Sequence, residues 1–413
     1  MTILRQNISF LHAADLHLDS PFLGLAQSPD HVFTEARQST FHALNNLTTL
    51  AIEKNVDFVL LVGDIFDESV QSLKAQVSLR QAFERLHTHN IRVYMSYGNH
   101  DYVQRRVHQV TYPDNVFIFP NEQITVFNFP DDNDPLAAIY GFSYEQRNIT
   151  ERKVDEYQRQ HGSIPFHIGL LHGSLYGHSS HASYAPFTLS DLTAKHFDYW
   201  ALGHIHKRQI LHEDPPIVYP GNIQGRHHLE SGAKGCYYVE LSKAECELSF
   251  VPLHAIEFVS LQLDVLTCET IFDLEKLLEQ TLANYTNQST PLLINLHLIG
   301  SEILFDWEQQ DHLQEIIDWL NDQYLQANHW MYIYHVTTAM QRTNFQQASL
   351  DSEHFFQALN TQFANDSITP FLKQLYEHPQ AKKYLQRLTD AEEKMIKEKA
   401  QQLLMSELLR PKR

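Results

Sequence analysis

Cysteine is scarce in this sequence, and the few cysteines form no recognisable motif. The 413 residues include three cysteines, Cys236, Cys246 and Cys268. Their number is odd and no pair has the CxxC spacing of zinc–thiolate sites, so neither a disulfide framework nor a zinc–thiolate site is indicated. We expect ordinary thiols that are buried or half-buried.

Long hydrophobic runs are also missing. No apolar run reaches the roughly 20 residues that a membrane span needs, and residues 1–7 lack a signal-peptide pattern. Apolar residues make up 43% of the chain and charged residues 20%, a balance typical of a globular protein. We therefore expect a cytoplasmic protein without a membrane span. Its length predicts two or three domains.

Basic residues are outnumbered by acidic ones. Lys and Arg total 31 against 50 Asp and Glu, which gives a formal net charge of −19. This acidity argues against nonspecific wrapping of nucleic acid by the whole surface. Any polyanionic substrate would have to be held by a local basic groove or by bound metal cations. The unusual feature of the composition is its 26 histidines, far more than core packing requires.

The first hundred residues alternate between strand and helix patterns. In order, we predict strand 8–14, helix 34–54, strand 56–62, helix 73–89 and strand 91–97. The strands are near-continuous apolar runs, which is typical of an α/β layered fold. Further buried strands are predicted at 166–171 and 198–203. In such folds ligands gather at the carboxyl ends of the strands.

Polar clusters follow five of these strands. A single cluster proves little, because the turn at Gly98 to Asp101 could merely satisfy local backbone groups and lone histidines are mostly structural. Imidazoles and carboxylates together, however, suit divalent manganese, iron or zinc, and one carboxylate can bridge two ions. The candidate ligands are Asp15, His17, Asp64, Asn99, His172, His204 and His206.

The pattern changes near residue 255. Strand 258–265, helix 272–285, strand 292–298, helix 308–324 and strand 331–336 predict a small βαβαβ unit without a cluster of potential ligands. Beyond residue 341 the chain is helical and amphipathic. Its charged part from Lys382 to Leu409 is either a solvated terminal helix or a docking site for a partner. We expect three segments: 1–255, 256–340 and 341–413.

The strand-end motifs resemble a known family. Asp15-x-His17, Gly63-Asp64, Gly98-Asn99-His100-Asp101, His172-Gly173 and Gly203-His204-x-His206 look like the successive signature blocks of the calcineurin-like metallophosphoesterases. Within that superfamily the chain is similar to the SbcD-type DNA repair exonucleases and most closely to their YhaO branch. The stretch from Tyr219 to Arg226 also points to the nuclease branch. The resemblance implies an α/β metallophosphoesterase sandwich with a small βαβαβ capping domain and a helical C-terminal segment.

The resemblance also implies roles for single residues. One metal ion would be held by Asp15, His17 and His206, the other by Asn99, His172 and His204, with Asp64 bridging the two. His100 would be the acid that protonates the leaving oxygen, and Asp101 would orient it. The ions would be manganese, with magnesium, iron(II) or zinc as alternatives. Two such cations can generate a hydroxide at neutral pH and clamp the attacking and leaving oxygens at phosphorus.

For function, the resemblance implies a two-metal-dependent DNA phosphodiesterase in DNA repair, a 3′–5′ exonuclease with endonuclease activity as an addition. It further implies a coiled-coil ATPase partner similar to SbcC or YhaN that docks on the C-terminal helices, and a homodimer. Two other functions stay open: a phosphoesterase for cyclic nucleotides or phosphomonoesters, and a non-catalytic scaffold. The extra domain and helical tail weigh against the former, and the filled ligand positions weigh against the latter.

Three local features bear on the DNA hypothesis. Asp67 stands where some archaeal and eukaryotic relatives carry histidine, and Gly221-Asn222 replaces the Gly-Ser of many bacterial relatives, so we do not expect the usual substrate contacts there. Basic residues near the motif loops form either a rim for DNA or ordinary solvated surface. These residues are Arg105-Arg106, Lys207-Arg208 and Arg226-His227-His228.

Overall fold

The structure is a computed structural model. It describes residues 7–67, 71–103, 110–131, 133–160, 164–176, 184–327, 329–340, 361, 367–377, 393, 394, 396, 397 and 400.

Strands and α-helices alternate at the start and toward the end of the described chain, and strands predominate between these parts. The strands are β1 (Asn7–Ala14), β2 (Phe58–Val62), β3 (Arg92–Ser96), β4 (Val116–Ile118), β5 (Thr125–Phe129), β6 (Ala137–Gly141), β7 (Phe166–His172), β8 (Tyr199–Gly203), β9 (Gln209–Glu213), β10 (Pro216–Tyr219), β11 (Gly235–Ser242), β12 (Cys246–Pro252), β13 (Glu257–Asp264), β14 (Leu292–Gly300) and β15 (Met331–Met340). The α-helices are α1 (Asp30–Lys54), α2 (Leu73–Thr88), α3 (Leu189–Thr193), α4 (Ile271–Ala283), α5 (Glu302–Gln309), α6 (His312–Tyr324) and α7 (Thr369–Glu377).

Twelve of these strands form two six-stranded sheets. The first sheet has the order β12-β11-β1-β2-β3-β4, with parallel pairing from β1 to β4 and antiparallel pairing at β11 and β12. The second has the order β5-β6-β7-β8-β10-β9, with four parallel central strands and antiparallel edges. Because the parallel strands of a sheet end on the same side, the loops that follow them are brought together.

The two six-stranded sheets pack face to face. Phe10 of β1 stacks on Phe58 of β2 with ring centroids 5.1 Å apart, and Tyr199 of the second sheet meets Phe10 edge-on at 5.2 Å. Side chains alternate along β1, so Leu11 and Ala13 face α1 and α2 instead. On the outer face of the second sheet, Leu192 of α3 belongs to the same hydrophobic cluster as Trp200 and Leu202 of β8. The layered sandwich predicted from the sequence is confirmed.

A third sheet, in the order β13-β14-β15, is built by the βαβαβ unit. The element order predicted for this region is confirmed, but the single helix predicted at 308–324 is wrong. Two helices, α5 and α6, occupy residues 302–324, and Asp311 between them has a left-handed backbone with φ of 61°. Such a residue interrupts the right-handed helix, and Asp tolerates this conformation better than most residues.

The chain divides into two compact units. The first contains Met1–Leu261, Tyr285–Asn295 and Asn321–His335, and the second contains Gln262–Asn284, Leu296–Leu320 and Val336–Arg413. All candidate metal ligands belong to the first unit. Most of the helix predicted from Lys382 to Leu409 lies outside the described residues.

None of the helices in the described parts of the chain combines the length and the apolar composition that crossing a membrane requires.

The core between the sheets contains a neutral histidine whose protonation should destabilise the fold. His12 is completely buried, with Nδ1 2.9 Å from the Tyr199 hydroxyl and Nε2 3.1 Å from the Leu202 carbonyl oxygen. Burial lowers the pKa of His12 to about 3, against 6.5 for an unperturbed imidazole, although the bond to Leu202 opposes this shift. Between these values the unfolded chain binds more protons than the folded chain, so stability falls as the pH falls.

We expect the variant His12→Gln to show a flatter loss of stability in acid than the unmodified protein. Each pH unit between the two pKa values contributes up to about 1.4 kcal/mol through this one group. Urea unfolding with a chelator present, at pH values from about 7.5 to about 5.5, measures the slope. The exposed His42→Gln variant serves as the control. Parallel slopes for His12→Gln and the unmodified protein would contradict the expectation.

Candidate metal centre

The loops that follow β1 and β2 run side by side beyond the sheet. The N–H of Asp15 donates to the Gly63 carbonyl at 3.2 Å, and the N–H of His17 donates to the Asp64 carbonyl at 3.0 Å. Because these backbone hydrogen bonds continue the parallel pairing of the strands, the side chains of both loops are held at fixed positions above the strand ends.

Four candidate ligands have left-handed backbone conformations. The φ angles of Asp15, His17, Asp64 and His204 are 52°, 42°, 48° and 98°. For residues other than glycine such angles are uncommon and cost of the order of 1–3 kcal/mol each. They persist because the two packed sheets fix the chain on either side of the loops. Strain of this kind clusters at functional sites, but it is not specific to them, because other described residues such as Asn55 and Asp311 also have positive φ.

Two glycines make room for the cluster. A β-carbon on Gly63, whose φ is +74°, would lie 2.1 Å from His172 Nδ1. A β-carbon on Gly98 would lie 2.2 Å from Asp64 Oδ1 and 2.8 Å from His172 Nε2. The glycines of the Gly63-Asp64 and Gly98-Asn99 motifs are therefore required by the close approach of the ligands to the backbone.

Asp15, His17 and His206 form the first group of potential ligands. Each offers an atom within 4.8 Å of the others, and Nε2 of His17 lies 3.1 Å from Nε2 of His206. Both carboxylate oxygens of Asp15 accept the His204 N–H at 3.0 Å. Burial raises the pKa of Asp15 to about 6, and burial followed by Arg226 lowers the pKa of His17 well below its ordinary value. A neutral His17 ring suits a metal ligand.

Asp64, His172 and His204 form the second group, which Asn99 completes. Asn99 Oδ1 lies 3.0 Å from His172 Nε2 and 3.2 Å from His204 Nδ1. Burial followed by the neighbouring His172 lowers the pKa of His204 to about 3. The amide oxygen and the two imidazole nitrogens converge on one point, so the chain brings together the residues that the motifs predicted.

The surroundings of His172 show that the position between its Nε2 atom and Asn99 Oδ1 favours a cation. Its Nδ1 lies 3.2 Å from the Val62 carbonyl and donates to it, so Nε2 of the neutral ring is an acceptor that faces the acceptor oxygen of Asn99. Burial alone lowers the pKa of His172, but the carboxylates of Asp64 and Asp15 outweigh burial and raise it to about 9. In the neutral ring, two acceptors face each other beside a carboxylate, which fits a metal ion. A proton on Nε2 can take the same place, as the raised pKa of His172 indicates.

The carboxylate of Asp64 lies between the two groups. Its Oδ2 is 3.5 Å from His172 Nε2 and 3.9 Å from His17 Nε2, and its Oδ1 accepts the His100 N–H at 3.0 Å. Burial opposes ionisation, but His172, His17 and His100 hold the pKa of Asp64 well below its ordinary value. An ionised carboxylate that faces both groups can be shared between two cations.

His100 and Asp101 lie on the same loop but have different surroundings. His100 is 26% exposed and points Nε2 toward Asp64 Oδ2 at 3.9 Å. Asp101 is fully buried and accepts N–H groups from Gly98 and Ile65, both at 2.7 Å, and from Phe66 at 3.2 Å. Burial, followed by Asp64, raises the pKa of Asp101 to about 7. Asp101 thus ties the His100 loop to the Asp64 loop.

Sequence reasoning missed Glu230, which lies on a short 3₁₀ turn (His228–Glu230) after β10. Burial acts against its ionisation, but hydrogen bonds from His206 and His227 hold the pKa of Glu230 well below its ordinary value. Asn222 is fully buried and donates to Glu230 Oε2 at 2.8 Å. The replacement at Gly221-Asn222 therefore has a structural partner. No spacing in the sequence links Glu230 to the ligand motifs.

The residues considered for a basic rim have different environments. Arg226 is 16% exposed and pairs with Asp67 at 3.2 Å. Lys207 and Arg208 are exposed, and the Arg208 guanidinium stacks over the Phe250 ring at 3.8 Å. Arg105 and Arg106 lie outside the described residues.

Comparisons with known proteins match this chain to a family model, to relatives and to a solved structure. The family model for calcineurin-like phosphoesterase matches residues 8–208. The uncharacterised metallophosphoesterase YhaO of Bacillus subtilis is 36% identical over 406 residues, which cover 97% of this chain and 98% of that protein. The DNA double-strand break repair protein Mre11 of Thermoplasma acidophilum is 27% identical over 267 residues, 60% of this chain and 65% of that protein. A crystal structure from Thermus thermophilus matches 59% of this chain and 98% of its own with a TM-score of 0.32 at 15% identity.

Proposed function

Since this chain belongs to the calcineurin-like metallophosphoesterases, a family of metal-dependent hydrolases, we propose that it is a two-metal-dependent phosphodiesterase acting on DNA. The observation that carries the proposal is the position of Asp64, whose Oδ2 faces His17 of one ligand group and His172 of the other. A single metal site has no need of a shared carboxylate between two groups. The family membership and this geometry together support a site for two ions.

The donor set fits two divalent cations. Asp15, His17 and His206 would hold one ion, Asn99, His172 and His204 the other, and Asp64 both. This mixture of imidazole nitrogens with carboxylate and amide oxygens suits manganese, with magnesium, iron(II) and zinc as alternatives. When bound, the two ions would activate a water molecule and stabilise the charge that develops on the phosphate oxygens.

The chain's own residues supply the rest of the reaction. Asp15 and Asp64 are the carboxylates of the ligand set, and Asn99 contributes a neutral oxygen. Since two carboxylates offset only part of the charge of two divalent ions, the site stays attractive to a phosphodiester. His100 reaches the site from its solvent-exposed side, which suits a group that donates a proton to the leaving oxygen. Asp101 would orient His100 through the backbone of its loop.

Similarity to Mre11 proteins supports DNA as the substrate. With a net charge of −19, the surface as a whole would repel DNA, so the bound ions and nearby cations such as Lys207 and Arg208 would have to attract it. We propose 3′–5′ exonuclease action with endonuclease action in addition, in the cytoplasm. The βαβαβ unit at 256–340 would cap the nuclease domain at 1–255. The segment 341–413 would dock a coiled-coil ATPase, and the chain would form a homodimer.

The test offers the purified protein, loaded with Mn²⁺, several substrates side by side. They are 5′-labelled duplex and single-stranded DNA, closed circular single-stranded DNA, and p-nitrophenyl phosphate mono- and diesters. We expect the linear substrates to shorten from the 3′ end, and cleavage of the circle would reveal the endonuclease. The variant His100→Ala should be about 10²- to 10⁴-fold slower, the usual contribution of a general acid. The exposed His42→Ala serves as its control.

Two other results would each reject the DNA proposal. Turnover of the p-nitrophenyl esters without digestion of any DNA would identify a small-molecule phosphoesterase. Inactivity on every substrate with two ions bound, repeated with a coiled-coil ATPase partner added, would identify a non-catalytic scaffold.

A further inference from the structure

Glu230 is a buried carboxylate beside the candidate ligand set, and none of the proposed steps uses Glu230. It is 6% exposed, and all of its close polar neighbours can donate hydrogen bonds. Oε1 lies 2.5 Å from His206 Nδ1 and 3.3 Å from His227 Nε2. Oε2 accepts from Asn222 Nδ2 and from the Arg226 N–H, both at 2.8 Å. A carboxylate that is buried this deeply and fully engaged is built into the site.

The contact with His206 determines which ring nitrogen carries the proton. An ionised carboxylate has no hydrogen to donate, so Nδ1 of His206 is the donor in the 2.5 Å contact with Oε1. The contact of Nδ1 with Arg226 Nη2, which would need Nδ1 as an acceptor, is longer at 3.4 Å and therefore the weaker of the two. Nε2 of His206 is then left with its lone pair, and this atom is the one that lies 3.1 Å from His17 Nε2. The hydrogen bond therefore fixes both the tautomer and the direction of the nitrogen that faces the first ligand group.

The same carboxylate also fixes the ring in space. Asn222, the partner of Oε2, forms a parallel bridge with Ala14, the last residue of β1 and the neighbour of Asp15. The backbone of His206 is held separately, because Lys234 Nζ donates to its carbonyl at 3.2 Å. Glu230 thus joins the imidazole of His206 to the end of the strand that carries Asp15 and His17.

We propose that Glu230 is a positioning residue that holds His206 in its Nδ1–H form for one of the two ions. This inference rests on the proposed function only in that His206 is an ion ligand. Glutamine cannot take the place of Glu230. Its NH₂ group would face either the two donors at Oε2 or the donors His206 and His227 at Oε1, and in the second case His206 would have to move its proton to Nε2.

The test compares Glu230→Gln with a matched control, Glu257→Gln. Glu257 also pairs with a histidine, Nε2 of His254 at 3.2 Å, but neither residue belongs to the ligand set. Titration with Mn²⁺, followed by calorimetry and electron paramagnetic resonance, gives the affinity of each ion without a substrate. We expect Glu230→Gln to weaken one ion about 10- to 100-fold and to leave the other near its original affinity. Glu257→Gln should weaken neither.

A double-mutant cycle with His206→Ala and a measurement on the unmodified protein complete the test. Glu230→Gln should have no further effect on ion affinity in the His206→Ala background, because Glu230 acts on the ion through the His206 imidazole, which that variant lacks. In the metal-free, unmodified protein, ¹⁵N shifts should report His206 protonated at Nδ1, which does not depend on how a variant folds. Protonation at Nε2, or unchanged affinities for both ions in a folded Glu230→Gln variant, would overturn the inference. Loss of DNA hydrolysis alone would bear only on the proposed function.

Discussion

Replacement of Asp64 with alanine is expected to slow phosphodiester hydrolysis by more than about 10³-fold. Stabilisation of charge by metal ions is worth several kcal/mol, and each 1.36 kcal/mol of activation free energy is about a factor of ten in rate. Asp64 is the carboxylate that faces both ligand groups. Without it, two cations would share the site with one carboxylate fewer between them, so we also expect the protein to bind fewer than two ions. Hydrolysis assays and Mn²⁺ titration measure the two effects.

The control for this prediction lies at the opposite end of the same strand. Asp57 precedes β2 and accepts the Ser9 N–H at 2.8 Å, so Asp57→Ala also removes a hydrogen-bonded carboxylate from the first sheet. We expect Asp57→Ala to lower the free energy of unfolding and to retain both ions. If Asp64→Ala kept two ions at the original affinity, the assignment of Asp64 as the shared ligand would be wrong.

The second large effect is expected from Gly98→Ala. The added β-carbon would lie 2.2 Å from Asp64 Oδ1 and 2.7 Å from the Asp64 backbone nitrogen. The nitrogen cannot rotate away, so the turn or the Asp64 loop must shift. Overpacking of this kind costs typically about 1–3 kcal/mol, and the shift moves the shared carboxylate out of line with both groups. We expect at least a 100-fold loss of activity, the size that a displacement of about 1 Å can cause.

Gly24→Ala is the matched control, because a β-carbon at Gly24 has no atom within 4 Å. Urea unfolding measures the loss of stability in Gly98→Ala and so separates it from the displacement of the Asp64 carboxylate as a cause of lost activity. A variant that is folded under assay conditions, binds ions weakly and hydrolyses slowly fits the steric argument. Full activity in Gly98→Ala would mean that the turn tolerates a β-carbon and that the close approach is not required.

The grouping of the candidate ligands at strand ends could be predicted because it depends on local patterns. Apolar runs reveal the strands, and parallel strands of one sheet end on the same side, so the sequence alone predicts that Asp64 and Asn99 are neighbours. The approach of His172 and His204 from the second sheet depends on how two sheets pack. For these residues the prediction relied on the resemblance of their motifs to a family.

Other features could not be predicted from patterns of this kind. Glu230 and His206 are 24 positions apart, with strands β9 and β10 between them, and only the folded chain brings them together. The left-handed backbone at Asp15 and Asp64 is strain imposed by the surrounding sheets against local preference. The basic residues next to Arg226 in the sequence indicated an exposed side chain, but the Arg226 guanidinium is paired with Asp67.

The ligand groups draw on both sheets of the sandwich. Asp15, His17, Asp64 and Asn99 follow strands of the first sheet, and His172, His204 and His206 belong to the second. Ions held by these residues would link the two sheets where they pack together. A ligand that binds only the folded chain, present at about 100 times its dissociation constant, adds about 2.7 kcal/mol to stability. Metal supply would then govern how long the protein survives proteolysis as well as how fast it works.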